Sequence, residues 1–275
     1  MKNTMTTIHA LVPVLCILLS CGCADTMEIN KPITEASFRR SDITDATIHE
    51  RIALTEAERV NLSHSNVTDK GMAELLQWPK IYRLDLGYMH ITDAGLKYVE
   101  KLPLAELTLT GTPITDAGLV HLQKIKRLGT LVLDGTKVTD AGLPTLAGTN
   151  VSDLYLRDTA VTDAGLANLP GKIGSLYLSR TRVTDAGLAH IKGKALVTLD
   201  LAGTAVTDAG LDHLANMTSL VTLELSDTAV TDAGLAKLTG LTGLRGLYLA
   251  GAKVTPVGVE AIRKALPDLQ VRLDR

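Results

Sequence analysis

Aliphatic residues recur along the chain in two alternating patterns. The first is Leu-x-Leu, as in Leu84-Asp85-Leu86, Leu107-Thr108-Leu109, Leu131-Val132-Leu133, Leu154-Tyr155-Leu156 and Leu247-Tyr248-Leu249. A period of two marks a short strand, with its leucines facing a core and its middle residue facing out. The second is typified by Thr207 to Leu214, in which Leu211 and Leu214 share one face of a helical turn. A segment reading apolar-Thr-Asp-Ala-Gly-Leu, or a close variant, joins them. Its threonine falls at Thr44, Thr68, Thr92, Thr115, Thr139, Thr162, Thr184, Thr207, Thr231 and Thr255, at spacings of 22–24 residues. A sustained period of that length predicts a solenoid of about ten strand–helix units.

The joining motif reads as a helix start. Thr207 is placed as N-cap, its hydroxyl accepting from a free N–H of the first turn. Asp208 follows at the first helical position, where a negative charge meets the positive end of the helix dipole. Val206 and Leu211 form a hydrophobic staple across the cap, repeated by Ile91/Leu96, Ile114/Leu119, Val138/Leu143, Val161/Leu166 and Val230/Leu235. In the last unit Pro256 replaces the aspartate, and proline is also favoured there. Nine of the ten units carry glycine, from Gly71 to Gly258, at the third helical position. Glycine is a poor helix former, so its recurrence implies close approach between the backbones of neighbouring units.

These features together resemble the leucine-rich repeat, in the ribonuclease-inhibitor-like class with a helix in every unit. The resemblance spans roughly residues 43 to 273 and implies an α/β horseshoe. Its units look like the tandem Val-Thr-Asp-Ala-Gly-Leu repeats of some environmental bacteria. One position departs from the family: where Asn or Cys is usual after the strand, this chain has Thr112, Thr136, Thr159, Thr181, Thr204 and Thr228. A parallel β-helix has coils of similar length. The cap, the staple and the helical leucine spacing argue against it.

The repeat begins near residue 41, and residues 1–20 read instead as an export signal. Lys2 is followed by an apolar run, Ala10 to Leu19, too short to span a bilayer, which needs roughly 20 helical residues. It ends in Leu18-Leu19-Ser20-Cys21, which resembles the lipobox of bacterial lipoproteins and implies lipidation at Cys21. An ordinary signal cleaved after Ala24 is the alternative. Residues 21–40 then form a tether and N-terminal cap, and residues 41–275 the repeat domain.

Composition narrows the function. The net charge of −2 comes with no basic run, which argues against nucleic acid. Aromatic residues make up only 3 %, so the core must be aliphatic. All three cysteines lie in the first 23 residues, leaving the repeats without disulfides or thiol metal ligands. The recurring aspartates have a structural reason at helix starts, so no calcium array is inferred. His190 and His213 read as solvated helix positions, with a surface metal pair as the alternative. No nucleophile, zinc or phosphate-loop motif appears, and no cofactor is expected.

What recurs is scaffold; what varies is free for function. The outward strand residues form a column: Asn61, Asp85, Thr108, Val132, Tyr155, Tyr177, Asp200, Glu224, Tyr248 and Arg272. Three of the chain's six tyrosines stand in it. Arg157 and Arg180 flank Tyr155 and Tyr177 towards the strand exits, and Asp200, Glu224 and Asp227 continue the surface. Tyrosine with arginine is the composition of binding hot spots. The expectation is a non-catalytic module at the cell envelope that recognises a protein or peptide on this face. Tyr155, Tyr177, Arg157, Arg180, Asp200, Glu224 and Tyr248 are the candidate residues. A structural or adhesive envelope component and a cryptic hydrolase are the alternatives. The charged last strand, Val271 to Arg275, protects a sheet edge and favours a monomer.

Overall fold

The computed structural model describes residues 35–37, 43–52 and 57–274. The export segment, the lipobox with Cys21, Ala24 and most of the 21–40 stretch lie outside the described residues. Within them the chain forms an open sheet of 11 parallel strands in sequence order. The strands are β1 (Glu35–Ser37), β2 (Arg59–Asn61), β3 (Arg83–Asp85), β4 (Glu106–Thr108), β5 (Thr130–Val132), β6 (Asp153–Tyr155), β7 (Ser175–Tyr177), β8 (Thr198–Asp200), β9 (Thr222–Glu224), β10 (Gly246–Tyr248) and β11 (Gln270–Arg272). This is a leucine-rich-repeat solenoid.

Most strands leave their first and third residues partly open on the concave face and bury the central one, such as Leu154 or Leu176; the third residue of β8, Asp200, is buried as well. The second leucine of each Leu-x-Leu pair, such as Leu156 or Leu178, lies just past the strand and is equally buried. The core between strands and outer segments is almost wholly aliphatic, with Trp78 the one aromatic among its described residues.

The outer face carries α1 (Ile48–Ile52), α2 (Asp93–Val99), α3 (Asp163–Leu166), α4 (Asp185–Ile191), α5 (Asp232–Lys237) and α6 (Pro256–Ala265). In four further units the same segment is a 3-10 helix: Gly71–Gln77, Asp116–Lys124, Leu143–Leu146 and Gly210–His213. Tighter 3-10 turns suit segments this short. Pro144 also lacks the N–H that an α-turn there would return to Asp140.

Five threonine caps form as the sequence implies: the Oγ1 of Thr92, Thr115, Thr162, Thr184 and Thr231 each accepts from the N–H two residues on. Thr207 accepts from the Ala209 N–H in the same way at 3.2 Å, but its helical turn begins later, at Gly210 with Ala209 as N-cap. The aspartate does something the sequence reading did not assign. Its carboxylate turns away from its own helix and reaches the next unit. Asp163 Oδ1 accepts from the Thr184 N–H at 2.7 Å, and Oδ2 from the Thr184 hydroxyl at 2.7 Å. The same double bridge links Asp45 to Thr68, Asp69 to Thr92, and so on to Asp232 and Thr255. The positive helix end that each carboxylate serves is therefore also its neighbour's. Asp45 shows this directly, since its Oδ1 takes the Gly71 N–H at 3.1 Å. Pro256 has no carboxylate to pass on, and the ladder stops at Thr255.

The bridge explains the glycine. At Gly95, Gly118, Gly187 and Gly234 a Cβ would overlap the Oδ1 of the preceding unit's aspartate. Close approach was expected from the sequence; the approaching group is a side-chain carboxylate, not backbone. The Asp232 carboxyl is held below its ordinary 3.8, first by the Thr255 hydroxyl and then by the Thr255 N–H. Stability from such a group is complete above its unfolded value and is lost as pH falls through the folded one.

The threonines that stand in place of the family's Asn or Cys close their own turns. Thr112, Thr136, Thr159, Thr181, Thr204 and Thr228 each donate to the carbonyl three residues back at 2.6–2.7 Å. Ser65, at the same position, is buried and its hydroxyl has no partner among the described residues.

A double-mutant cycle tests the carboxylate–glycine pairing. Asp69→Ala should lower stability by about 1–3 kcal/mol through the lost charged hydrogen bonds, and Gly95→Ala should also destabilise. With Asp69 gone, the nearest contact for a Cβ at residue 95 becomes Met72 Cγ at 3.4 Å, an ordinary distance. Alanine at 95 should then stabilise by up to ~1 kcal/mol, because it forms helix better than glycine. Urea midpoints of the four proteins check this; simple additivity would show that the glycine does not serve the carboxylate.

Candidate functional site on the concave face

In-register parallel pairing sets Tyr155 opposite Tyr177. Their rings stack at 4.0 Å between centroids and 9° between planes. Offset stacking of this kind contributes about 0.5–1.5 kcal/mol beyond burial. The Tyr155 hydroxyl is pushed above its ordinary pKa, first by burial and then by the neighbouring Tyr177 hydroxyl. It is therefore a neutral phenol throughout the physiological range.

Arg157 leaves the chain just past β6 and folds back over both rings, its guanidinium carbon 4.5 Å from the Tyr177 centroid and 5.4 Å from that of Tyr155. It is held by two carboxylates: its Nε donates to Asp200 Oδ2 at 3.0 Å, and Asp134 Oδ2 lies 3.7 Å from its Nη1. The Arg157 backbone N–H also donates to Asp134 Oδ1 at 2.8 Å. Arg157 is thus less a free cation than a clamp that fixes the tyrosines. Asp200 is buried beneath it and is not part of the open surface.

Arg180 does not join this cluster. Its Nε and Nη2 donate to the two oxygens of Asp158, both at 2.6 Å, at the exposed strand-exit turn. Glu224 is half-buried and accepts from the Ser226 N–H at 2.8 Å. Tyr248 sits apart on β10 with the Arg272 guanidinium carbon 5.6 Å from its ring. Of the candidate residues, Tyr155, Tyr177, Arg157 and Asp200 form one constellation; Arg180, Glu224 and Tyr248 flank it.

Three features were missed in the sequence. Asp134 stands one unit before Arg157 at the matching position, a spacing of 23 residues that the repeat makes visible. A second outward column, the first residue of each strand, adds Thr130, Asp153, Ser175, Thr198 and Thr222 beside the tyrosines. Finally, His64 and Tyr88 share a unit position and stack at 4.6 Å.

On the outer face His121 Nδ1 lies 2.9 Å from Glu100 Oε2, which also accepts from Lys124 Nζ at 2.9 Å. These contacts hold the Glu100 carboxyl below its ordinary value, His121 first. Among the described residues, no three His, Cys, Asp or Glu side chains gather as a metal site, and no helix is long and apolar enough to cross a membrane.

Comparison with known proteins places this architecture. The leucine-rich-repeat family model matches residues 58–76 and 216–238. Among solved structures, an internalin C2 from Listeria monocytogenes is similar at 27% identity, with a TM-score of 0.55 over 74% of this chain and 83% of that one. An internalin, inlF, from the same organism matches at 17% identity and a TM-score of 0.44, over 94% of this chain and 92% of that one. The plant peptide hormone receptor RGFR1, in complex with RGF2, matches at 13% identity and a TM-score of 0.48, over 82% of this chain and 41% of that one. None of the curated proteins matches the chain in sequence. The family match and the first structure support a leucine-rich-repeat scaffold, and neither indicates an enzymatic family.

Removing the clamp has a pH-dependent cost. The Asp134 carboxyl is raised above its ordinary 3.8, first by burial, while the Arg157 N–H and charge pull the other way. A raised carboxyl contributes stability that is present at low pH and lost as pH rises through the folded value. Arg157→Ala removes the opposing charge and strands Asp200. The expected loss is about 1–3 kcal/mol at neutral pH, below that of a fully buried pair because Arg157 keeps 32% exposure. The loss should shrink as pH is lowered and the raised Asp134 carboxyl protonates; urea melts of both proteins at neutral and acidic pH check it, and a pH-independent loss would overturn the clamp.

Proposed function

We propose that this solenoid is a non-catalytic recognition module that seats a protein or peptide segment on its concave face, centred on Tyr155 and Tyr177. The observation that carries the reading is the clamped tyrosine stack. Two aromatic side chains are held in one geometry by Arg157, Asp134 and Asp200, yet both remain half-buried rather than covered. Rigid, partly exposed tyrosines lose little conformational entropy when a partner closes over them. Hydroxyls of Ser175 and Thr198 beside the stack offer hydrogen bonds to a main chain. Arg180, Glu224 and Tyr248 form the rim.

The module acts at a bacterial cell envelope as a monomer. Residues 1–20 are removed on export, Cys21 carries the lipid, and residues 21–40 lead into the repeats from 41 to 275. Leu18-Leu19-Ser20-Cys21 supports this placement.

Two experiments test the proposal. Cross-linking capture from the native envelope should return a saturable partner with the wild-type chain. Tyr155→Ala combined with Tyr177→Ala should lose it while Tm falls by only a few degrees. Retained capture would remove the tyrosines from the site, and many weak, unsaturable contacts would favour an adhesive component instead. Metabolic labelling with palmitate should mark the wild type and not Cys21→Ala; equal labelling would refute lipidation there.

A further inference from the structure

A separate cleft lies nearer the N-terminal end of the solenoid. The exits of β2, β3 and β4 border an open cleft of about 500 Å³, lined by His64, Asp85, Tyr88, Thr108 and Thr110 together with Ser63 and Gly87. That volume falls in the range of small-molecule pockets.

His64 and Tyr88 occupy the strand-exit turn with φ of 61° and 58°. Four other units place glycine at this turn, at Gly111, Gly135, Gly203 and Gly251, all with positive φ. Histidine enters this left-handed region comparatively readily, but a bulky tyrosine is disfavoured there. Tyr88 is nevertheless 56% exposed, so burial in a core does not account for it. Held strain at an exposed residue beside a cleft is a mark of function.

The polar groups in the cleft are largely uncommitted. The hydroxyls of Thr108, Thr110 and Tyr88 and the His64 ring nitrogens make no hydrogen bond among the described residues. Asp85 uses one oxygen for the Asn61 amide at 2.9 Å and the other for the Gly87 N–H at 2.9 Å, and a carboxylate accepts further bonds. No lysine or arginine lines the cleft, and Asp85 repels anions. Closely spaced hydroxyls, an imidazole and one carboxylate, beside the edges of two stacked rings, match a ligand bearing many neutral hydroxyl groups.

We propose that this cleft binds a neutral saccharide, one or two sugar rings in size, independently of the tyrosine stack on β6 and β7. Sugar hydroxyls would donate to Asp85 and exchange hydrogen bonds with Thr108, Thr110 and Tyr88, while apolar ring faces lie against the aromatic edges.

Isothermal titration of the purified full chain with chitobiose, maltose and cellobiose tests this, with glucose 6-phosphate as an anionic probe. At least one neutral saccharide should bind saturably at millimolar or lower concentration, and the phosphate more weakly. Tyr88→Gly and Thr110→Val should each weaken that binding by about tenfold, the effect of losing one good contact. Glycine suits the positive φ, so Tyr88→Gly should leave Tm unchanged or raised, separating lost binding from unfolding. Tyr155→Ala with Tyr177→Ala should leave sugar binding intact. No saturable binding by any of the three, tighter binding of the phosphate, or indifference to both cleft substitutions would overturn the proposal.

Discussion

The whole molecule depends on one bridge, the aspartate of each unit holding the threonine of the next. The bridge needs three residue types at once. The threonine hydroxyl donates to the preceding aspartate while accepting from the N–H two residues on, so it belongs to two units at the same time. The aspartate is short enough to reach the Thr N–H and Thr Oγ1 together. The glycine leaves the space that the carboxylate occupies. A single unit has no partner for its carboxylate and no neighbour for its leucines. Stability is therefore a property of the stack, as in other nearest-neighbour arrays. The ladder also separates register from repeat length: spacings vary from 22 to 24 residues, yet every strand pairs in the same phase with the next.

That fixed phase gives the concave face its chemistry. Residues at equal positions become neighbours about 4.8 Å apart, so two tyrosines in successive units stack without further design. Arg157 acts across the columns as well as along them, lying over two rings and tied to carboxylates on both sides. Its positive charge is largely neutralised before any partner arrives. What it provides is geometry. On the proposed recognition role, a partner closing on the stack would meet rings that are already ordered and would not have to strip a free guanidinium of water.

The period, the strands, the caps and the staples were legible in the sequence because each is a local pattern that repeats. The destination of the aspartate was not. Every unit carries the same motif, so a carboxylate facing its own helix and one facing the next leave the same residue spacing. The glycine was the clue that distinguished them: a helix-weakening residue nine times over requires a group pressing on its Cα, and Asp45, Asp69 and their successors are the groups in range. The Arg157 clamp was hidden for another reason. A reading down one strand position finds Tyr155, Tyr177 and Asp200, but Asp134 lies in a different column. The placement of His64 beside Tyr88 was available by aligning units, since both fall where Gly111 and Gly135 stand later.

That turn shows how a repeat acquires specificity. Among the described residues nine units place a positive φ there; four use glycine, and His64, Tyr88, Asp158, Arg180 and Asp227 replace it in the others. Four of the five replacements come as adjacent pairs, His64 with Tyr88 and Asp158 with Arg180. One pair stacks and the other forms a two-point ion pair. The pairing follows from energetics. Leaving glycine at a left-handed residue costs about 1–2 kcal/mol, and a side chain facing only a glycine has little with which to offset it. Two neighbours that depart together gain each other's contact, and the ladder holds them close enough to make it. Asp227, between Gly203 and Gly251, is of a residue type that tolerates this region. Variation in such a scaffold therefore accumulates in neighbouring units, and the places where two successive turns both abandon glycine are the places to look for sites.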